Sequence, residues 1–462
     1  MAVWRSPELE AVIGGPLDAT GLTEVALQGL VSGQAREGEL LDFKRRSYSA
    51  ARDSVAAWSP EQEFAKDVTA FANHRGGMLL IGVEAAGEVA VSYEASVADP
   101  GAEEQRLRRA LLNNASPPPR VEFVAIPSDE GGHYLAVVIP PSPAAPHATL
   151  GRPGDSRRPL HYFVRDGADV RPLTEGEVAD RYRRRAAAAL DRVARRERAA
   201  EEGREALRRG EGLWLYLTVV PEAPTPGVLD AAAVHDADQW WNSYQFWSPL
   251  QRRIEADGTV IPAPGRVTYT DRRIDPKPPE PDPFLNYLEL HVDGAAFAAM
   301  RFVRPESETG VGRRELADDT ILLADACLQW ALRQAGSWGQ ADVTIGLVDT
   351  EAAPGQLTEP LTLTASVRDN QRRVPNTRRL LRAPSAVVSV DLAAAGSTQA
   401  RLAVAHAALS ALLHWFGVAQ ADELAADGTI ITHRWEGNLS EIELWATSWN
   451  VASQLHPSLT GR

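Results

Sequence analysis

Two stretches decide the fold of the first half of the chain. One is Glu37-Gly38-Glu39-Leu40-Leu41-Asp42-Phe43-Lys44. The other, twenty residues on, is Phe64-Ala65-Lys66-Asp67-Val68-Thr69-Ala70-Phe71-Ala72-Asn73-His74-Arg75-Gly76-Gly77-Met78-Leu79-Leu80-Ile81-Gly82-Val83. The first reads as a short strand over residues 40–43 that ends in a basic cluster, Lys44-Arg45-Arg46. Ahead of the second, Ser59-Pro60-Glu61 is a helix start, with proline at the first helical position and Glu61 and Glu63 in the first turn. That helix is expected to run to about Asn73 and to stop at Gly76-Gly77. Residues 78–83 form an unbroken apolar run, the pattern of a strand covered on both faces.

Working outward, residues 20–31 have the periodicity of a short amphipathic helix, and residues 102–113 that of another. Residues 121–126 and 134–139 read as strands joined by a turn-rich segment, and 161–165 as one more. The expectation is an N-terminal tail over 1–19 and a mixed sheet with flanking helices over 20–173. Thr174 and Glu177 form a capping box that opens an Arg/Ala/Glu-rich helix over 174–210. This helix is read as a solvated connector, the alternatives being a dimerising helix that makes a homodimer or a helix touching nucleic acid. Residues 211–462 read as a larger, tryptophan-rich α+β domain. Its expected strands are 213–220, 342–348, 360–366 and 386–391, with a hairpin around Asp293-Gly294, helices at 315–336 and 399–417, and a solvated proline-rich loop at 262–284. The fold class is therefore α+β.

The 462 residues are too many for one core, and 44% hydrophobic with 24% charged content is ordinary for a globular chain. No apolar run reaches the ~18 residues of a membrane span, and the N-terminus has no basic-then-apolar leader, so a cytosolic protein with no membrane contact is expected. Cys327 stands alone, which excludes an internal disulfide and a cysteine metal site. The net charge of −14 argues against wrapping a polyanion over a large surface; only residues 174–210, with 11 basic and 8 acidic residues, are net basic. Nucleic-acid contact would need a local basic patch. Arginine and alanine abundance suits a GC-rich genome, and only three lysines occur, Lys44, Lys66 and Lys277, two of them inside the quoted stretches.

Those stretches carry candidate chemistry. Gly76-Gly77 turns tightly and is expected to bring bare backbone N–H groups to the surface. Lys44, Arg45 and Arg46 project charges past a strand end, and Asn73 can donate and accept at once. Together they have the makings of a phosphate site; the plainer alternative is a helix cap followed by a turn.

The two stretches, with Pro140-Pro141-Ser142-Pro143, Pro146-His147 and His161-Tyr162-Phe163-Val164-Arg165-Asp166-Gly167 further on, resemble the Schlafen AlbA_2 family of nucleic-acid-associated modules, and the later pieces are similar to its bacterial members. The resemblance covers about residues 20–185. It implies nucleic-acid binding, with Lys44, Arg45, Arg46, Lys66, Asn73, Arg75, Gly76 and Gly77 as binding candidates and either RNA or DNA as ligand. Schlafen-type nucleases use three carboxylates to hold a metal. The resemblance places the first two on Glu37 and Asp42, the catalytic candidates, but the third position, just before Gly-Gly, is Arg75. A guanidinium there repels a hard cation. Asp67, two helical turns back, would need a different geometry to substitute, and Glu39 and Glu84 are the other candidate stand-ins. The preferred reading is a non-catalytic binding protein without cofactors, regulatory or defence-related by family analogy. In it, the second domain acts as a sensor for a protein partner or small ligand. The alternatives are a nuclease dependent on Mg²⁺ or Mn²⁺ with a rearranged carboxylate site, and an interaction scaffold without nucleic-acid binding.

Other motifs add little. Neither GxxxxGK[ST] nor GxGxxG occurs. His406 and His414 are too far apart on one helix to share a metal, and Ser142 and Ser156 have no matched His and Asp. Ten of the twelve tryptophans, Trp240, Trp241 and Trp247 among them, fall in residues 211–462 and read chiefly as core.

Overall fold

The computed structural model describes residues 4, 6–48, 58–151, 158–208, 211–223, 229–254, 260–270, 285–302, 310–334, 337, 339–365, 374, 377–435 and 439–454. Lys277, Ser156 and most of the proline-rich loop, 271–284, lie outside the described residues. The chain divides into two compact units, Met1–Asp191 and Arg192–Arg462. Both are mixtures of helix and sheet, so the class is α+β.

The first unit runs α1 (Pro7–Ile13), α2 (Glu24–Ser32), β1 (Leu41–Lys44), α3 (Pro60–Ala72), β2 (Gly77–Ile81), β3 (Val83–Ala86), β4 (Val89–Tyr93), α4 (Pro100–Asn114), β5 (Ala115–Ser116), β6 (Glu122–Pro127), β7 (His133–Ile139), β8 (Ala148–Leu150), β9 (Leu160–Asp166) and β10 (Asp169–Pro172). A long helix, α5 (Glu175–Leu207), follows and spans the division between the units.

The α3 start is as its residues dictate. Ser59 accepts from the Gln62 N–H, Gln62 returns a bond to the Ser59 N–H, and Pro60 needs no partner at the first position. β1 and β2 pair in parallel with α3 as their crossover, and the sheet order is β1-β2-β7-β6. A second sheet, β10-β9-β8-β5, packs on the other side of α3. A helix covered on both sides keeps only a narrow solvated edge, at Glu61, Glu63 and Lys66, which is why Asp67, Thr69 and Gln62 are buried beside Phe64, Val68 and Phe71. The apolar run 78–83 is not one strand. Gly82, at φ +104°, turns the chain into the β3–β4 hairpin, and a Cβ there would sit 2.6 Å from the Tyr134 ring. Residues 1–19 hold α1, whose Leu9 and Ile13 are buried.

The second unit runs β11 (Leu213–Pro221), α6 (Ala231–Ser243), β12 (Ile261–Ala263), β13 (Arg266–Thr270), β14 (Asn286–His291), β15 (Ala296–Arg301), β16 (Gly310–Gly312), α7 (Arg313–Gln329), β17 (Gln340–Asp349), β18 (Gln356–Thr364), β19 (Leu380–Arg382), β20 (Ser385–Asp391), α8 (Thr398–Leu413), β21 (Ile430–Ile431), α9 (Leu439–Ser448) and β22 (Ser453–Gln454). Residues 262–270, expected as loop, instead belong largely to the β12–β13 hairpin. Its main sheet, β12-β13-β14-β15-β11-β17-β20, is antiparallel throughout. Alternation along β11 sends Leu215, Leu217 and Val219 into the core shared with α7 and α8, and Trp214 and Tyr216 to the opposite face. His406 and His414 each bond a nearby carbonyl, Leu424 O at 2.9 Å and Ala419 O at 2.8 Å.

That opposite face corrects the reading of 174–210 as solvated throughout. Residues 192–207 of α5 belong to the second unit. Ala200 and Leu207 pack with Trp214, Tyr216 and Phe297, while Arg192 and Arg196 reach the buried Asp342 at 3.2 and 3.4 Å. Arg195 pairs with Asp293 at 2.8 Å. The packed stripe, Ala199/Ala200, Gly203 and Leu207, is built of small residues and so shows no heptad seam. Gly203 is the closest approach, since a Cβ there would lie 2.3 Å from the Phe297 ring. Gly203→Ala gains about 1 kcal/mol of helix propensity but overpacks a ring, at roughly 1–3 kcal/mol. We expect a net loss, read in the full chain as a lower denaturant midpoint by tryptophan fluorescence. A raised midpoint would refute this packing.

Candidate nucleic-acid interface

β1 alternates, so Asp42 and Lys44 share one face and Leu41 and Phe43 the other. On the Asp42 face lies α3, and the two elements bring together a cluster of buried charge. The Lys44 ammonium sits 2.7 Å from Asp42 Oδ2 and 3.6 Å from Asp67 Oδ2. The Tyr48 hydroxyl donates to the same Asp67 oxygen at 2.6 Å. From β9, the buried Arg165 guanidinium approaches Asp42 Oδ1 at 3.9 Å, donates to Gly38 O at 2.8 Å and lies 4.6 Å over the Phe71 ring. Two carboxylates thus face two cations, which is how a set of buried charges becomes tolerable.

Burial pushes the carboxyls of Asp42 and Asp67 above their ordinary range, against the pull of Lys44 on both. Burial also pulls Lys44 down, but Asp67 and Asp42 outweigh it and hold the ammonium above its usual 10.5. The Tyr48 phenol is driven well up by burial and by Asp67. Lys44 therefore stays charged, a fixed internal cation between two acids.

The expected site residues fall into three groups. Asp42 and Asp67 are buried, and Lys44, still 31% exposed, joins them from the rim of the cluster. Glu37 is next to it, half-buried, with Oε1 accepting the Phe43 N–H at 2.8 Å. Asn73, Gly76 and Gly77 are internal. The Asn73 amide donates to the carbonyls of His147 and Phe163 at 2.8 and 2.9 Å and accepts the His147 N–H at 2.7 Å, so it is spent joining α3 to β9 and the segment before β8. Both glycines are buried, contrary to the expectation of exposed N–H groups. Gly76, at φ +76°, donates its N–H to Phe71 O at 3.0 Å, and a Cβ on Gly77 would sit 2.2 Å from the Phe71 ring. They serve close packing rather than anion capture.

In the third group Arg45, Arg46 and Arg75 are exposed and Lys66 is half-buried. Arg45 faces Glu84 at 3.3 Å, Arg75 faces Glu8 at 2.7 Å and Glu39 at 3.9 Å, and Lys66 pairs with Glu63 at 2.5 Å. Arg46 has no ion-pair partner among the described residues. Beside it runs a groove of about 620 Å³ lined by Ser47, Ser96 and Arg106 and by the carboxylates of Glu94, Asp99 and Glu103, which leave it without a net positive charge. Sequence reasoning missed Tyr48 and Arg165. The inward parity of an arginine within the apolar strand His161-Tyr162-Phe163-Val164-Arg165 was the signal for the second.

The metal implied by the nuclease resemblance does not fit this arrangement. The Lys44 ammonium fills the space between Asp42 and Asp67, and Arg75 stands at the third position. Among the described residues no three His, Cys, Asp or Glu side chains converge on a common point.

Comparison with known proteins agrees with the resemblance. Residues 37–174 match the family described as Schlafen, AlbA_2, and the C-terminal region matches no family. Residues 37–174 of the first unit are thus similar to the AlbA_2 family. None of the curated proteins matches the chain. A crystal structure of the DIP2311 protein from Corynebacterium diphtheriae is similar over 34% of this chain at 19% identity with a TM-score of 0.21. This chain covers 27% of that protein, and a likeness so distant carries no weight for fold or function.

Replacing Lys44 by Met leaves the buried Asp42 facing only Arg165 as a cation, and the buried Asp67 with the Tyr48 hydroxyl and the more distant Lys66. Breaking such a set costs about 3 kcal/mol or more. Asp42 and Asp67 already have raised pKa values in the fold, so the folded variant takes up protons before the unfolded chain does, and acid favours it. The stability gap between Lys44→Met and the parent should therefore narrow as pH falls from 7 toward 4 in denaturant titrations. A gap independent of pH would refute the arrangement.

Proposed function

We propose that the first unit binds nucleic acid through exposed arginines at the two ends of the β1–β2 pair, Arg45 and Arg46 just past β1 and Arg75 just before β2, and does not cleave it. The observation that carries this is the match of residues 37–174 to the Schlafen AlbA_2 family, whose members are nucleic-acid-associated modules. The exposed guanidiniums of Arg45, Arg46 and Arg75 support it, because two of them are held only by exposed carboxylates. Such surface pairs are worth about 0–1 kcal/mol, so a phosphate can displace them. The phosphate contacts are few, as suits a chain of net charge −14. Binding is favoured over metal-dependent cleavage because an ammonium occupies the carboxylate pair. No helix among the described residues is long and apolar enough to cross a membrane. We read the protein as a cytosolic regulator of bacterial type. Its second unit is the sensing half, a reading supported by the half-exposed Trp247 and Trp415 on its surface.

The test is binding of labelled single-stranded RNA, single-stranded DNA and duplex DNA to the full chain as salt is raised. Each phosphate contact contributes about 0.7–0.9 to the slope of log affinity against log salt. Arg46→Ala with Arg75→Ala should weaken binding about tenfold or more and reduce that slope by between one and two. Binding that ignores salt, or a double variant with the parent's slope, would refute the site.

A further inference from the structure

β9 presents its residues alternately to two sides, and the side turned to α3 carries His161, Phe163 and Arg165. Its direction is fixed by contacts: Arg165 reaches the Phe71 ring, and Thr149, the neighbour of His161 across the β8–β9 ladder, shares a 2.9 Å hydroxyl bond with Thr69 of α3. Along this side burial falls away. Arg165 is 3% exposed, whereas Phe163 and His161 are only partly covered. Trp58, one residue before the α3 cap, stands edge-on to both, with ring centroids 5.0 Å from His161 and 5.8 Å from Phe163. The His161 and Phe163 planes are within 13° of parallel at 6.2 Å.

This trio differs from the core aromatics on the same helix. Phe64 and Phe71 are fully buried, while all three rings here keep contact with solvent. Their polar edges are also unspent. Neither the Trp58 indole N–H nor a His161 ring nitrogen has a hydrogen-bond partner among the described residues. Lys66 belongs to the same side of α3. It lies on the stripe with Gln62, Thr69 and Asn73, which bond to Leu150, Thr149 and Phe163 of β8 and β9. Lys66 is paired with Glu63 at 2.5 Å, a partly exposed ion pair that a phosphate would have to displace.

Partly exposed aromatic faces with free donors, next to a lysine, are what unstacked bases and their phosphates require. We propose that Trp58, His161 and Phe163 form a stacking platform for unpaired bases, with Lys66 at its side for the backbone, so that the ligand of the first unit is a single-stranded nucleic acid. This rests on the nucleic-acid reading above and narrows it to a substrate class. A duplex keeps its base faces hidden and offers such a platform nothing.

Fluorescence anisotropy of the full chain with three labelled probes tests it: oligo(dT), an abasic strand of equal length, and a duplex. The parent should bind oligo(dT) better than either other probe. Trp58→Ala with His161→Ala should weaken oligo(dT) by about 5- to 100-fold, the loss of stacking on one base or so, and leave the abasic strand and the salt slope unchanged. Trp58→Phe, which keeps a ring, should retain most of the affinity, and an unchanged thermal midpoint guards against misfolding. Lys66→Ala should weaken oligo(dT) and the abasic strand alike. Unchanged oligo(dT) binding by the double variant, or equal binding of abasic strand and oligo(dT) by the parent, overturns the platform and leaves the nucleic-acid reading standing. No binding of any probe overturns both.

Discussion

A β-strand that places an acid and a lysine on one face, against a helix that offers a second acid, must balance those charges or leave them outside the core. Here Asp42, Lys44 and Asp67 are balanced inside, with Arg165 from the second sheet as the fourth charge. Much of the first unit follows from this set. β1 meets α3 where Lys44 reaches Asp67, and β9 adds the contacts of Arg165 with Asp42 and Gly38. The carboxylates are then no longer a vacant cation site, since the cation is part of the fold.

The same economy governs the segment between the cores. α5 reads as a charged, alanine-rich connector, yet residues 192–207 cover a face of the second unit's sheet that would otherwise expose Trp214, Tyr216 and Phe297. Three arginines find Asp342 and Asp293, and small residues let the helix approach closely. The tryptophans of the second unit divide accordingly. Trp214, Trp240, Trp241, Trp330, Trp435 and Trp445 are buried in packing, whereas Trp247 and Trp415 remain on the surface.

Local signals made the strand–helix–strand around Gly76-Gly77 legible: a proline at the helix start, a cap residue before it, and an apolar run behind two glycines. The AlbA_2 resemblance was legible from the same residues. The role of the glycines was not, because a glycine that exposes its N–H and a glycine that admits a neighbouring ring look alike in sequence. Phe71 and Pro141 decide between them, and those contacts arise only in the fold. Asn73 is a similar case: a helix-end amide was read as available, and its partners turned out to be His147 and Phe163, more than seventy residues away. Gly82 broke an apolar run whose composition said strand throughout, because a positive φ leaves no mark on hydrophobicity. The packed half of α5 was hidden by its own composition, since a stripe of Ala and Gly has no contrast against an alanine-rich helix.

The central claim is that Lys44 is a permanent ammonium held between Asp42 and Asp67. With only three lysines in the chain, carbon-13 labelling at lysine Cε resolves it directly by NMR. The account predicts that one of the three signals, lost in Lys44→Met read at a pH where that variant is folded, titrates above the usual lysine value of 10.5 and is not selectively broadened by Mn²⁺. A Lys44 signal that titrates below that value, or that Mn²⁺ selectively broadens, would mean the carboxylates are open to a metal and would contradict it.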